Sequence, residues 1–313
     1  MTRSSAPEPS RDNDTADETA APHDTLPCVL SFNASDPTGA GGLCSDAMVI
    51  ASIGAHALPV ITGAYVRDTR EIMGHASLGD DAVAEQAGAV AEDIPLHAIK
   101  IGFVGSAEAV AAIAAFVSDY PAVPVVAYMP DLSWWSEDEI DNYLDAFREL
   151  LLPQVAVLVG NNTTLRHWLL PESTTDRRAR ATDLARAAGE LGVSYVLVTG
   201  IPAVGDQLGN VLASAQGELF SQSYERIDAG FLGAGDILSA ALTALIATGS
   251  ELTEAVAEAL QYLDQALDHG FRPGMGRAVA DRLFWAESDD ADSADDDAPP
   301  SFDIPHPFNE TKH

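Results

Sequence analysis

Lysine is nearly absent: of 313 residues only Lys100 and Lys312 are lysines. A Walker-type phosphate loop is therefore excluded, because it needs a lysine followed by Ser or Thr. Cysteine is equally scarce, with Cys28 and Cys44 alone. Two thiols rule out a disulfide scaffold and fit a reducing, cytoplasmic setting. No run of about 20 apolar residues occurs, so nothing is expected to span a membrane. The N-terminus lacks the apolar core of a signal peptide. Eight histidines are scattered without zinc-ligand spacing. Positive charge is short overall, with 16 basic residues against 48 acidic ones and a formal net charge of −32. That balance excludes nucleic acid and anionic membrane as partners. It also repels anions at long range, so a nucleotide would need a metal ion and local N–H donors. An acidic, salt-adapted solubility surface accounts for most of the charge.

Nearly half the residues are apolar, enough for a full core. Residues 1–25 and 287–313 are acidic, rich in Ser, Pro and Asp, and without apolar periodicity. They read as disordered tails flanking one domain over 26–286. Within it, short apolar runs alternate with helical patterns, which predicts a mostly parallel sheet with helices on both faces. Strands are expected at 28–32, 58–66, 71–75, 98–104, 123–128, 155–159 and 195–199, with a hairpin of 210–213 and 219–224. Helices are expected at 43–53, 80–92, 107–118, 137–151, 176–191, 237–248 and 252–267. Ligands in such sheets bind at the C-terminal ends of strands, so the loops after strands carry the information.

The most informative loop is Gly230-Phe231-Leu232-Gly233-Ala234-Gly235-Asp236, followed by an almost unbroken apolar helix. Free backbone N–H groups and the positive end of the helix dipole make such a mouth an anion site. A carboxylate there makes sense if Asp236 takes a proton from a nucleophile while Gly233, Ala234 and Gly235 cradle a phosphoryl group. Capping of the helix by Asp236 is the simpler alternative. After the first strand comes Asn33-Ala34-Ser35-Asp36-Pro37-Thr38-Gly39-Ala40-Gly41-Gly42. Asp36 can accept from a substrate amino or hydroxyl group, or merely shape a turn. Arg67 and Asp68 close the second strand. Asn161 follows another and could order metal-bound water or cap a helix. Thr199 and Gly200 end a fourth, small enough for close approach to a phosphate.

Together these loops resemble the ribokinase-like superfamily, and more narrowly the hydroxymethylpyrimidine/phosphomethylpyrimidine kinases of thiamine synthesis. The resemblance runs from about Leu26 to Trp285. Its most specific part is Ser35-Asp36-Pro37-Thr38-Gly39-Ala40-Gly41-Gly42-Leu43 with Asp46, followed in family order by Gly54-Ala55-His56, Lys100-Ile101-Gly102 and Gly233-Ala234-Gly235-Asp236. It implies a three-layer α/β/α sandwich and transfer of the γ-phosphoryl group of ATP, with Mg²⁺, to a hydroxymethyl group or its monophosphate. Asp236 would be the base, where many of these kinases place Cys. Asp36, Gly39, Gly41, Gly42, Arg67 and Phe103 would line the pyrimidine pocket. Asn161, Thr199 and Gly200 would meet the nucleotide, and Asp131 the metal. A homo-oligomer is expected. Three departures stand out: Arg67 replaces a glutamine that reads the ring edge, Thr164 replaces the metal-directing Glu, and Thr199 replaces a phosphate-contacting lysine. A kinase for another heterocyclic alcohol of pyridoxal type, and a non-catalytic relative, are the alternatives.

Overall fold

The computed structural model describes residues 26–170 and 179–286. The two expected acidic tails, and the start of the expected 176–191 helix, lie outside the described residues. The strands are β1 Cys28–Ser35, β2 His56–Arg67, β3 Ile72–Ser77, β4 Ala98–Ile101, β5 Val125–Met129, β6 Val157–Asn161, β7 Tyr195–Ala203, β8 Gln207–Ser214, β9 Gly217–Glu225, β10 Phe231–Leu232 and β11 Ala278–Val279. The helices are α1 Gly42–Ile53, α2 Asp80–Ala91, α3 Ala107–Ser118, α4 Glu137–Ala146, α5 Asn162–Leu169, α6 Ala181–Glu190, α7 Ala234–Ala247 and α8 Leu252–Asp268.

Nine strands form one sheet in the order β3-β2-β1-β4-β5-β6-β7-β8-β9. From β2 through β7 neighbours run parallel, while β3, β8 and β9 are antiparallel. The strand order reverses at β1, which has β2 on one side and β4 on the other. The loop after β1 thus leaves the sheet at its topological switch point, where α/β sheets bind ligands.

Two apolar cores flank the sheet. One packs Leu30, Phe32, Ile99 and Ile101 against α2 to α6, and the other packs Val29, Ala98 and Val126 against α1, α7 and α8. The alternation follows from the period of two in a strand. Residues Ile237 to Leu245 of α7 are all buried, because the helix is wedged between the sheet, α1 and α8; such a helix is apolar all round. Its hydroxyls turn inward, Ser239 Oγ donating to Gly235 O at 2.8 Å and Thr243 Oγ1 to Ser239 O at 2.6 Å.

The expected 137–151 helix is α-helical only to Ala146, then widens into a π-turn over Phe147–Leu151. The short helix α5 and the pair β10–β11 were not anticipated. Both are too short for periodicity to register. No helix among the described residues is long and apolar enough to cross a membrane.

Candidate active site

The face of the sheet under α1 and α7 is apolar until the strand ends, then turns polar. Ser31 and Asn33 of β1, Lys100 of β4 and Tyr128 of β5 succeed the apolar Val29, Ala98 and Val126 two residues further along each strand. Lys100 lies directly beside Ser31 in the sheet. Asp46 descends on this stripe from α1 and Asp236 from α7.

Lys100 and Asp46 have no exposed side-chain surface, and Asp236 keeps only 16%. The ammonium donates to Asp46 Oδ1 at 2.7 Å, to Asp46 Oδ2 at 2.8 Å and to Asp236 Oδ1 at 3.1 Å. All three N–H donors of the lysine are thereby used. Asn33 Nδ2 bridges the same carboxylates, at 2.9 Å to Asp46 Oδ2 and 2.8 Å to Asp236 Oδ1. Its amide is oriented by backbone N–H groups of Ala34 and Phe103, which donate to Oδ1. Burial, opposed by Lys100 and reinforced by Asp236, holds the Asp46 carboxyl above the usual carboxylate range. Burial would push the Lys100 ammonium down, but Asp46 and Asp236 outweigh it and hold it above its ordinary value.

The other oxygen of Asp236, Oδ2, accepts from the Gly42 N–H at 3.2 Å. Asp236 does not cap its helix. The cap is Gly233 in a left-handed conformation, with φ 74°, and Asp236 lies in the first turn. The N–H groups of that turn have no intrahelical partner. A Cβ on Gly233 would collide with Ala40 O, so the α7 loop and the β1 loop touch backbone to backbone. A Cβ on Gly41 would meet Asp236 Oδ2 at 2.7 Å and Asp36 Oδ2 at 3.6 Å. Both carboxylates therefore converge on the bare face of Gly41. Asp36 is itself neutralised by Arg67, whose Nη1 lies 3.3 Å from Asp36 Oδ2, and its Oδ1 accepts from Thr38 N and Oγ1.

These groups open into a cavity of about 590 Å³, with Tyr65, Trp134, Tyr128 and Leu232 among its walls and Arg67, Arg70, Arg277 and Asp131 among its polar edges. The Arg70 end is held by the chain ahead of β11: Arg277 N donates to Thr69 O at 2.9 Å and Gly276 N to Thr69 Oγ1 at 3.1 Å. Burial, with Asp236 and Asp131 nearby, raises the Tyr128 hydroxyl above its ordinary value, so it stays protonated. A second, more apolar cavity of about 200 Å³ adjoins the first through Asn161, Thr199, Phe231 and Leu263.

Residues 36–281 match the family model described as phosphomethylpyrimidine kinase. This chain belongs to that family. A relative is the hydroxymethylpyrimidine/phosphomethylpyrimidine kinase of Streptomyces coelicolor, 28% identical over 265 residues, which cover 84% of this chain and 96% of the relative. Two solved structures share the fold. An ADP complex of Bacillus subtilis pyridoxal kinase superposes with a TM-score of 0.74 at 21% identity, over 83% of this chain and 99% of that one. The phosphomethylpyrimidine kinase of Clostridium difficile gives 0.62 at 23% identity, over 75% and 98%. The expected ribokinase-like sandwich is therefore the fold of this kinase.

Against that frame of a family kinase, the expected site residues divide. Asp36, Gly41, Arg67, Asp131, Asn161, Thr199 and the 233–236 loop all line the larger cavity. Gly200 lines only the smaller one. Phe103 does not line the pocket, contrary to expectation. Its ring is 2% exposed and stacks on Tyr65 at 5.2 Å, inside a cluster with Trp134, Trp135, His75 and Tyr143. Tyr65, whose ring stacks on Phe103, takes the wall instead. Gly39 sets a turn, its N–H bonded to Asp36 O, and nothing approaches its missing side chain. Gly42 opens α1 and serves Asp236 through its N–H. Sequence reasoning missed Lys100, Asp46 and Asn33 as a group, and also Tyr65, Tyr128, Trp134 and Arg277. A signal for the first was available: one of only two lysines sits inside an otherwise apolar strand.

Proposed function

We infer that the protein transfers the γ-phosphoryl group of ATP to the hydroxymethyl group of a pyrimidine and to the resulting monophosphate, the activation needed before that ring joins thiamine. The substrate oxygen attacks the γ-phosphorus, the bond from that phosphorus to the bridging oxygen breaks, and ADP leaves. Asp236 takes the proton of the attacking alcohol. The N–H groups of Ala234, Gly235 and Asp236 face the charge that gathers on the phosphoryl oxygens. The reading rests on one observation: Asp236 and Asp36 converge on Gly41, at the seam where the α7 and β1 loops touch. An alcohol seated there lies beside a carboxylate and a helix N-terminus at once.

Tyr65 and Trp134 supply aromatic walls for a flat ring. The smaller cavity, with Leu208, Tyr224 and Leu263, suits a nucleobase. Mg²⁺ fits the donor set, since that ion commonly takes one or two carboxylates, water and phosphate oxygens. Asp131 edges the cavity and would hold it; bound there, the ion would neutralise phosphate charge. The same reading carries a cytoplasmic, homo-oligomeric enzyme, and light scattering tests the second attribute.

Arg67 favours a second reading. It presents only donors to the ring, which suits a different heterocyclic alcohol, such as one of pyridoxal type. Initial rates of ADP release over a substrate panel separate the two. Highest kcat/KM for hydroxymethylpyrimidine supports the first reading; preference for pyridoxal replaces it with the second; no turnover on any alcohol removes both.

A further inference from the structure

A fully buried Lys–Asp pair is an unusual thing to keep for stability. Such pairs are commonly replaceable by apolar side chains without loss, because desolvating two charges offsets their attraction. Here the pair is also placed where only one neighbour profits. Lys100 has three donors and directs two to Asp46 and the third to Asp236. Asn33 repeats the division, one N–H to each carboxylate. Ser31 Oγ adds a donor to Asp46 at 2.8 Å. Asp46 is thus saturated and sealed from the cavity, whereas Asp236 has Oδ1 fastened and Oδ2 turned toward Gly41. The base is pinned by one oxygen so that the other faces the pocket.

We propose that Lys100 and Asp46 are positioning residues for Asp236, Lys100 fixing its Oδ1 and supplying the opposing charge, and Asp46 limiting how strongly the lysine can claim it. This rests on the kinase reading for its purpose, but not for its test. With both charges of the pair present, the cluster of two carboxylates and one ammonium carries one net negative charge at the mouth of the pocket. Without Asp46, the ammonium belongs to Asp236 alone and the carboxylate becomes a weaker base. Without either, Asp236 keeps only Asn33 and the Gly42 N–H as partners to stabilise its charge. The other titratable groups facing Asp236 are Tyr65 from β2, Tyr128 from β5, and Asp36 across Gly41. Both tyrosines are held protonated, and Asp36 is paired with Arg67, so none of them substitutes for the lysine.

The experiment is a ¹³C carboxyl titration of the full chain labelled at aspartate, with the Asp236 signal assigned by its loss in Asp236→Asn. Two variants are compared with the wild type: Asp46→Asn, and the doubly neutral Asp46→Asn/Lys100→Met. The expected result is opposite displacement. The Asp236 midpoint falls in Asp46→Asn and rises by at least one pH unit in the double variant, and the acidic limb of kcat moves the same way in each. A merely structural role lowers rates without moving the midpoint, and unmoved midpoints overturn the proposal. If the double variant does not fold, the direction of the shift in Asp46→Asn decides alone. Because the titration needs no substrate, an inactive wild type defeats the kinase reading while leaving this one measurable.

Discussion

At Gly41 the site tolerates nothing but hydrogen. A methyl group there would lie 2.7 Å from the base oxygen and 3.2 Å from Gly233 Cα, both parts of the same seam. Gly41→Ala should lower kcat at least a hundredfold while the far-ultraviolet spectrum and thermal midpoint barely change, since its φ of −134° suits any residue. Removing the base itself makes a sharper case. Asp236→Asn should cost about 10²- to 10⁴-fold with the alcohol as acceptor, the usual worth of a general base. The loss should be smaller with the monophosphate as acceptor. A phosphate monoester, with a second pKa of about 6, is already an anionic nucleophile at pH 7 and has no proton to give up. Single-turnover rates on the two acceptors check the difference, and equal losses would remove Asp236 as the base.

Between elements, the pocket is made by contacts of a kind that sequence reports unevenly. The α7 loop and the β1 loop were legible because glycine runs before apolar helices announce a close backbone approach. The aromatic wall was not. Trp134 and Trp135 sit in a connection without periodicity, and only the folded chain sets Tyr65 against Phe103 at 5.2 Å and Trp134 at 5.9 Å. Likewise Lys100 reads in sequence as one polar residue in a strand, and becomes meaningful when α1 and α7 each lower a carboxylate onto it. Trp134→Ala should raise KM for the ring substrate roughly three- to tenfold, the worth of one aromatic contact, with KM for ATP unchanged. Residues 274–277 hold the β2–β3 turn through equally close contacts. Gly276 packs so tightly that a Cβ would collide with Thr69 O. Gly276→Val should therefore free the β2–β3 turn and raise KM for the acceptor more than it lowers kcat. Steady-state kinetics measure that split.

For the molecule as a whole, a formal charge of −32 is a standing self-repulsion. Raising ionic strength from 0.01 to 0.15 M shortens the screening length from about 30 to about 8 Å, so the thermal midpoint should climb over that range and then flatten. The buried ammonium sets the opposite boundary. Lys100 is held above its ordinary value, so its stabilising contribution is complete below about pH 10.4 and is lost as pH climbs through the raised value. Denaturant midpoints taken across the alkaline range should fall more steeply in the wild type than in Asp46→Asn/Lys100→Met, because the buried tyrosines, raised in both proteins, add the same decline to each. The overall fold was the easiest thing to read, because strand and helix periods alternate along the whole domain. One further consequence comes from the inaccessibility of that single internal amine. Acylating reagents cannot touch Lys100 while the chain is folded, so the acylated residue, which trypsin no longer cleaves and which therefore appears in a longer peptide, is found only in molecules that have opened. The protein thereby carries its own clock for global unfolding, readable by mass spectrometry without any added dye.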